Sequence, residues 1–314
     1  MRIVFMGTPD FSVPALKALV EAGHEVAAVF TQPDKPKGRG KEVQMTPVKL
    51  QALEYGIPVY QPAKVREPET IELIRELSPE AIVVIAFGQI LPKAILEIPK
   101  YGCVNIHASL LPKYRGAAPI QWCVIDGEKE TGVTTMMMDV GLDTGDMLEK
   151  TVIPIGEKET GGSLHDKLSM AGGSLILSTL KKLEEGTIVR TPQTEEGTCY
   201  AKMLTKSLGN IDWTMPAASI ERLIRGLNPW PSAYTSWKEK TIKIWAADVL
   251  KEDAFGGERD CQPGEIVCCD KNTLAVATGD GILSIRELQL QGKKRMDTPA
   301  FLRGYPMAAG ERFR

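Results

Sequence analysis

Residues 81–86 read Ala-Ile-Val-Val-Ile-Ala, six apolar positions in a row. A strand with this pattern is buried on both faces, which is typical of a central parallel strand covered by helices. Strand patterns at residues 2–6 and 25–31 flank a segment whose apolar residues recur at helical spacing. The alternation predicts an α/β domain with a Rossmann-like, doubly wound, mostly parallel sheet.

The pattern changes in the second part of the chain. Residues 190–208 are polar, contain proline and glycine and show no sustained period, so they are interpreted as a linker. A short helix and five short strand patterns follow, which predict a small C-terminal β-barrel, OB-like in kind. The predicted organisation is an α/β domain over residues 1–189, the linker, and a barrel domain over residues 209–314.

The composition argues against several classes of protein. The 314 residues carry a net charge of −2. A protein that coats nucleic acid without specificity normally carries a large positive charge. No apolar run approaches the roughly 20 residues that span a bilayer, and the first apolar stretch is shorter than a signal segment. The six cysteines form no C-x-x-C pair, so neither a disulfide framework nor a metal site is predicted. We expect a cytoplasmic, monomeric protein.

Residues 103–107, Cys-Val-Asn-Ile-His, form a predicted strand with two polar side chains. Side chains alternate along a strand, so Asn105 and His107 share one face. Polar residues at the end of a buried strand are either satisfied by the backbone or placed at the crevice beyond the carboxyl ends of the sheet. A histidine alone is often structural. An amide donor beside an imidazole is instead typical of a site that stabilises a negative oxygen.

Two loops accompany this strand. Residues 108–119 read Ala-Ser-Leu-Leu-Pro-Lys-Tyr-Arg-Gly-Ala-Ala-Pro, and residues 139–146 read Asp-Val-Gly-Leu-Asp-Thr-Gly-Asp. The acidic loop lacks the spacing of a calcium site, but a carboxylate from it could serve proton transfer beside a histidine. The turn at residues 7–11 holds one glycine where a dinucleotide fingerprint needs three, so NAD chemistry is not predicted.

Taken together, these motifs resemble the tetrahydrofolate-dependent formyltransferases. The resemblance is carried by residues 105–121, by residues 139–146, by Ala-Phe-Gly-Gln-Ile-Leu-Pro at residues 86–92 and by residues 5–11. It implies that Asn105 donates a hydrogen bond to the formyl oxygen and that His107 stabilises the charge on it. It also implies that Asp143 orients His107 and helps to remove a proton from the attacking amine.

Within that family, the chain resembles the members that formylate methionyl initiator tRNA. The basic loop at residues 35–49, Leu-Ile-Arg-Gly-Leu-Asn-Pro-Trp-Pro at residues 223–231 and Leu-Gln-Leu-Gln-Gly-Lys-Lys-Arg-Met at residues 288–296 carry this resemblance. It implies direct transfer from N10 of 10-formyltetrahydrofolate, the co-substrate, to the methionyl α-amino group without a metal. The implied folate contacts are Phe87, Gly88, Gln89, Ile90, Leu91, Ser109, Leu110, Leu111 and Pro112. The implied tRNA contacts are Arg39, Lys41, Lys293, Lys294 and Arg295.

Three other functions remain open from the residues alone. Residues 286–314 carry seven basic and three acidic side chains, which suit either a solvated face or an RNA-backbone surface. An RNA-binding module would leave Asn105, His107 and Asp143 unexplained. A formyltransferase for a small amine, such as a purine precursor ribotide or an amino sugar nucleotide, would have little use for the barrel. A formyl-folate hydrolase shares the three polar residues, so these residues do not distinguish a hydrolase from a formyltransferase.

Overall fold

The structure, a computed structural model, describes residues 1–37, 42–250 and 261–314. Its contacts divide the chain into two units. The first comprises Met1–Pro119, Glu130–Pro154 and His165–Ala201, and the second comprises Ile120–Lys129, Ile155–Leu164 and Lys202–Arg314. Among the described residues, no helix is long and apolar enough to cross a membrane.

The first unit is built on strands and helices that alternate along the chain. Its strands are β1 (Arg2–Gly7), β2 (Glu25–Phe30), β3 (Lys35–Lys37), β4 (Glu42–Gln44), β5 (Val59–Tyr60), β6 (Ala81–Ile85), β7 (Cys103–His107), β8 (Arg115–Gly116), β9 (Glu130–Met137), β10 (Met147–Pro154) and β11 (Tyr200–Ala201). Its helices are α1 (Val13–Glu21), α2 (Pro47–Glu54), α3 (Pro68–Glu76) and α4 (Lys93–Leu96). Two further helices, α5 (Pro119–Asp126) and α6 (Gly161–Glu185), contain residues of both units.

Seven of these strands form one sheet in the order β10-β9-β7-β6-β1-β2-β5. The pairs from β7 through β6, β1 and β2 to β5 are parallel, whereas β9 pairs antiparallel with β7 and β10 pairs antiparallel with β9. Every residue of β6 is buried, as the apolar run at residues 81–86 predicts. The prediction of a mostly parallel α/β sheet is confirmed. Its strand β7 ends at His107.

Local chemistry fixes the elements around β7 and β2. The Thr46 hydroxyl accepts a hydrogen bond from the Lys49 N–H at 3.1 Å, which caps α2, and it is also 2.8 Å from the Thr31 hydroxyl, which directly follows β2.

On the sheet face opposite Asn105, α6 approaches closely at Gly172, where a Cβ would lie 3.0 Å from Cγ2 of Ile106. This close packing holds the apolar face of β7.

The second unit contains an antiparallel sheet. Its strands are β12 (Ala233–Trp237), β13 (Lys240–Leu250), β14 (Ile266–Cys269), β15 (Leu274–Ala277), β16 (Ile282–Leu290) and β17 (Met296–Asp297), and its helices are α7 (Ala217–Gly226) and α8 (Thr298–Gly304). The strand order is β12-β13-β16-β15-β14, with β17 paired to β16. All these pairs are antiparallel. The predicted C-terminal β domain is confirmed.

The last residues of the chain link the two ends of this sheet. Arg314 exchanges backbone hydrogen bonds of 2.9 and 3.0 Å with Ser236 in β12. Glu311 accepts a backbone hydrogen bond of 2.8 Å from Ile266 in β14. Because β12 and β14 are the outer strands, this segment closes the sheet into a barrel and leaves neither edge unpaired there.

The closing segment also contributes to the core, which gives a test of its importance. Phe313 is 1% exposed and stacks on Trp213 with ring centroids 5.7 Å apart. We expect Phe313→Ala to lower the free energy of unfolding by about 3–5 kcal/mol, because it leaves a cavity against that ring. All five tryptophans lie in the second unit, so denaturation followed by tryptophan fluorescence measures this loss. Exposed Arg303→Ala is the control, and a loss of less than about 1 kcal/mol for Phe313→Ala would contradict the closing role.

Candidate active site

His107 is the last residue of β7, and its ring is buried, with 6% exposed. Its Nε2 lies 2.9 Å from the Tyr114 carbonyl oxygen, and its Nδ1 lies 3.7 Å from Oδ2 of Asp143. A carbonyl oxygen only accepts hydrogen bonds, so Nε2 carries a proton and donates it to Tyr114. Nδ1 is therefore the ring nitrogen that faces the carboxylate and can exchange a proton there.

Asp143 reaches the histidine from the loop between β9 and β10. Its Oδ2 also accepts a hydrogen bond of 2.8 Å from the Gly116 N–H, which orients the carboxylate. The backbone at Asp143 has φ of +54°, in the left-handed region, which aspartate adopts more readily than most residues with a Cβ but less readily than glycine. The structure thus brings Asp143 to His107 and fixes it there.

Asn105 lies two residues before His107 on the same face of β7 and is half-buried. No hydrogen bond joins its carboxamide to any residue that the structure describes. A carboxamide without a partner among those residues keeps its N–H donors for a ligand. The face therefore presents a free amide donor beside the His107–Asp143 pair, which suits an oxygen that gains negative charge.

The remaining polar group on this face, Cys103, is excluded as a nucleophile. Burial raises the pKa of the Cys103 thiol to about 12, so the thiol stays protonated near neutral pH. Within residues 1–37, 42–250 and 261–314, no three His, Cys, Asp or Glu side chains are grouped as a metal site requires. The arrangement can stabilise a negative oxygen and move a proton with its own side chains.

The loop after β7 holds the Tyr114 carbonyl in place. The Ser109 hydroxyl donates to the Lys113 carbonyl at 2.6 Å, which folds the loop back on itself. The Thr134 hydroxyl donates to the Ser109 carbonyl at 2.7 Å and accepts from the Leu111 N–H at 3.2 Å. These bonds tie the loop to β9, the neighbouring strand, so the acceptor for His107 is set by backbone geometry.

Two family models match this chain. Formyl transferase matches residues 1–180, and Formyl transferase, C-terminal domain, matches residues 203–306. The chain belongs to the formyl transferase family. Both units of this formyl transferase contain matched residues, so the resemblance seen in the sequence motifs is confirmed at the level of the family.

Similar proteins extend this finding. A protein of Agathobacter rectalis described as methionyl-tRNA formyltransferase is 58% identical over 313 residues, which cover 100% of this chain and 99% of that protein. The structure of HypX from Aquifex aeolicus in complex with tetrahydrofolic acid has a TM-score of 0.63 at 18% identity and covers 99% of this chain. This chain spans 48% of HypX. An N-formyltransferase from Helicobacter canadensis has a TM-score of 0.68 at 18% identity and covers 94% of this chain and 99% of its own. The two structures share the fold.

The residues expected to contact folate fall into buried and exposed groups. Phe87 and Leu91 are buried in an apolar cluster, and the Phe87 carbonyl accepts hydrogen bonds from Thr8 Oγ1 at 3.1 Å and Gln32 Nε2 at 3.2 Å. Ser109 and Leu111 are buried, whereas Leu110 and Pro112 are half-buried. The buried members shape the loops rather than face solvent.

The exposed members, Gly88 and Ile90, lie in one loop of the formyl transferase, after β6. Ile90 is 80% exposed and follows exposed Gly88, while the half-buried Gln89 accepts a hydrogen bond from the Val65 N–H at 2.6 Å. The loop that carries Asp143 also exposes two apolar side chains, Val140 and Leu142. It begins at Met138, which packs on the cluster that holds Phe87 and Leu91.

The residues expected to contact tRNA lie in different places. Lys293 and Lys294 are exposed in the turn between β16 and β17. Arg295 follows them, pairs with Glu287 and lies 5.0 Å from the ring centroid of Trp245. These three basic residues are adjacent on one surface of the second unit.

The other two expected tRNA contacts belong to the basic loop near the N-terminus. β3 and β4 pair antiparallel, and beside this hairpin Lys49 Nζ donates to Asp34 at 2.6 Å and to Gln61 at 2.8 Å. Hydrogen bonds from Lys49 and Gln61 hold the pKa of the Asp34 carboxyl below its usual value. Arg39 and Lys41 lie outside the described residues.

Two residues at the site were missed by the sequence analysis. Gln193 bonds to the backbone of the loop that carries Asp143, and Arg115, which is 1% exposed, bonds to Gln193. The sequence shows Arg115 within the motif at residues 108–119, but its burial is seen only in the structure. Gln193 lies in a polar stretch without a period, and nothing in that pattern predicts its contacts.

Proposed function

We propose that this chain transfers the formyl group of 10-formyltetrahydrofolate to the α-amino group of methionyl initiator tRNA. One observation carries the choice of acceptor: the similarity to a protein described as methionyl-tRNA formyltransferase extends over the whole chain and includes both units. The reaction class rests on the free Asn105 carboxamide beside the His107–Asp143 pair.

The chemistry needs charge stabilisation and proton movement. The amine nitrogen forms a bond to the formyl carbon, the bond from that carbon to N10 breaks, the amine loses a proton and N10 gains one. The folate supplies the electrophilic carbon and the leaving nitrogen. No covalent bond to the protein is required, which agrees with the protonated Cys103 and with a Ser109 hydroxyl that is engaged with Lys113.

Each polar residue has a defined task in this proposal. Asn105 donates a hydrogen bond to the formyl oxygen as it gains negative charge. The separation of 3.7 Å between His107 Nδ1 and Asp143 Oδ2 exceeds a hydrogen bond, so Nδ1 remains open to a substrate atom that lies beside both groups. Asp143 accepts the proton that the amine loses.

The residues present fit a folate. A flat pterin ring requires apolar contact on its faces and polar backbone groups at its edge. Ile90, Val140 and Leu142 offer exposed apolar surface in two loops, a use that explains why side chains of this size face solvent. Gly88 is exposed and has no side chain, so a flat ring can approach its backbone.

The test of the function is formyl incorporation from labelled 10-formyltetrahydrofolate. Methionyl initiator tRNA is compared with methionyl elongator tRNA and with a reaction without tRNA. We expect incorporation into the initiator tRNA alone. Folate consumption that does not depend on tRNA would contradict the acceptor and favour a hydrolase.

Replacement of the free carboxamide tests the stabilisation of the formyl oxygen. We expect Asn105→Ala to lower kcat by about 10²–10³-fold, because one preorganised donor to the transition state is lost. Cys103→Ala, on the same face of β7, is the matched control and should keep near-normal kcat. If the Asn105 variant is folded and retains wild-type kcat, Asn105 has no part in the reaction.

The exposed lysines between β16 and β17 are proposed to contact tRNA phosphates. We expect Lys293→Ala with Lys294→Ala to raise KM for tRNA and to reduce the dependence of log KM on log salt by about 1–2, because fewer counterions are released. kcat at saturating tRNA should not change. Exposed Lys271→Ala, in the turn between β14 and β15, controls for the loss of one surface charge. An effect of this variant about half as large as that of the double variant would contradict a specific contact.

A further inference from the structure

The side chain of Gln193 links the two segments that surround His107. Its Nε2 donates to the carbonyl oxygens of Asp143 and Gly145, each at 2.8 Å. Its Oε1 accepts a hydrogen bond of 3.0 Å from Nε of Arg115. Both ends of the carboxamide are therefore engaged, one with the loop of Asp143 and the other with β8.

The partner of Gln193 on β8 lies between two groups of the active site. The residue before Arg115 supplies the carbonyl oxygen that accepts from His107, and the residue after it supplies the N–H that binds the Asp143 carboxylate. Gln193 thus connects the backbone that carries Asp143 to the backbone that orients both members of the pair.

The segment that carries Gln193 is itself anchored. Thr191 exchanges backbone hydrogen bonds of 2.8 and 2.9 Å with Met147, the first residue of β10. Further along, the Arg115 N–H donates to the Cys199 carbonyl at 2.9 Å, and β11 pairs with β8. Because it is fixed on both sides, this segment can impose a position on the loop.

The loop of Asp143 needs such support. Asp143 has φ of +54°, in the left-handed region, which has a free-energy cost for a residue with a Cβ relative to glycine. Gly145 is packed so closely that a Cβ would lie 1.7 Å from the Met137 carbonyl oxygen. Gln193 binds the two carbonyl groups on either side of Thr144, at the point where the chain turns back toward β10.

We propose that Gln193 is a positioning residue that holds the Asp143 carboxylate against His107 during formyl transfer. The inference rests on the proposed function, since formyl transfer is its readout. Gln193 does not touch the reacting atoms. It acts through the backbone of Asp143, and a displacement of about 1 Å at such a distance from the chemistry can cost about 10²-fold in rate.

Two substitutions separate positioning from packing. Gln193→Met keeps the length of the side chain and removes both hydrogen bonds to the loop, so we expect kcat to fall by about 10–100-fold while KM for folate and tRNA stays within about two-fold. Gln193→Glu keeps an acceptor for Arg115 but sets a carboxylate oxygen against two carbonyl oxygens. We expect a fall in kcat at least as large, although the contact with Arg115 is kept.

The matched control is Glu195→Gln. Glu195 contacts the same guanidinium group, at 3.4 Å from Nη1 of Arg115, but its side chain is 85% exposed and does not bind the loop. We expect kcat and KM of this variant to equal those of the wild type. Thermal unfolding of all three variants, followed beside the kinetics, shows that the compared proteins are folded.

A double-mutant cycle with Asp143→Ala distinguishes an effect through Asp143 from a general loss of structure. If Gln193 acts through Asp143, adding Gln193→Met to Asp143→Ala changes kcat by less than about two-fold, whereas independent effects multiply. An unchanged kcat in both Gln193 variants, or full multiplication in the cycle, would overturn the inference and leave the proposed function intact. Absence of formyl transfer by the wild type would overturn the proposed function, and the inference with it.

Discussion

The hydrogen bond from His107 Nε2 to the Tyr114 carbonyl is the interaction on which the site depends. It assigns one ring nitrogen to the backbone and leaves the other, Nδ1, to face Asp143 at 3.7 Å. Strand β7 fixes the backbone position of His107, and the folded loop after β7 fixes the position of the Tyr114 carbonyl oxygen that accepts its hydrogen bond. Without that bond, the ring could rotate and the carboxylate would face no particular nitrogen.

The site separates groups that are engaged from groups that are left free. Backbone and amide groups of Tyr114, Gly116 and Gln193 hold the His107–Asp143 pair. Asn105, in contrast, makes no hydrogen bond with the residues that the structure describes. Preorganisation of this kind stabilises developing charge without a reorganisation cost at the moment of reaction. Reactivity toward an acyl carbon can thus arise without a nucleophilic side chain, since the attacking atom belongs to the acceptor.

The sequence predicts those features that leave a residue pattern. Burial of β6 on both faces follows from its unbroken apolar run, and the shared face of Asn105 and His107 follows from strand alternation. The residue pattern offers the loop at residues 139–146 as the source of a carboxylate beside a histidine, and the choice of Asp143 within it was implied by resemblance. The contacts of Gln193 and the segment that closes the barrel were not predicted. Hydrogen bonds to backbone carbonyls and a strand of a few residues leave no periodic pattern in the sequence.

The most direct test of this account is the tautomer of His107, measured by ¹⁵N NMR of histidine-labelled protein at a pH where the ring is neutral. The chain has three histidines, so a His107→Asn sample assigns the signals. The account predicts a proton on Nε2, bonded to the Tyr114 carbonyl, and an unprotonated Nδ1. A proton on Nδ1 with a bare Nε2 would contradict it, because the Tyr114 carbonyl would then have no donor and the orientation of the pair would lose its cause.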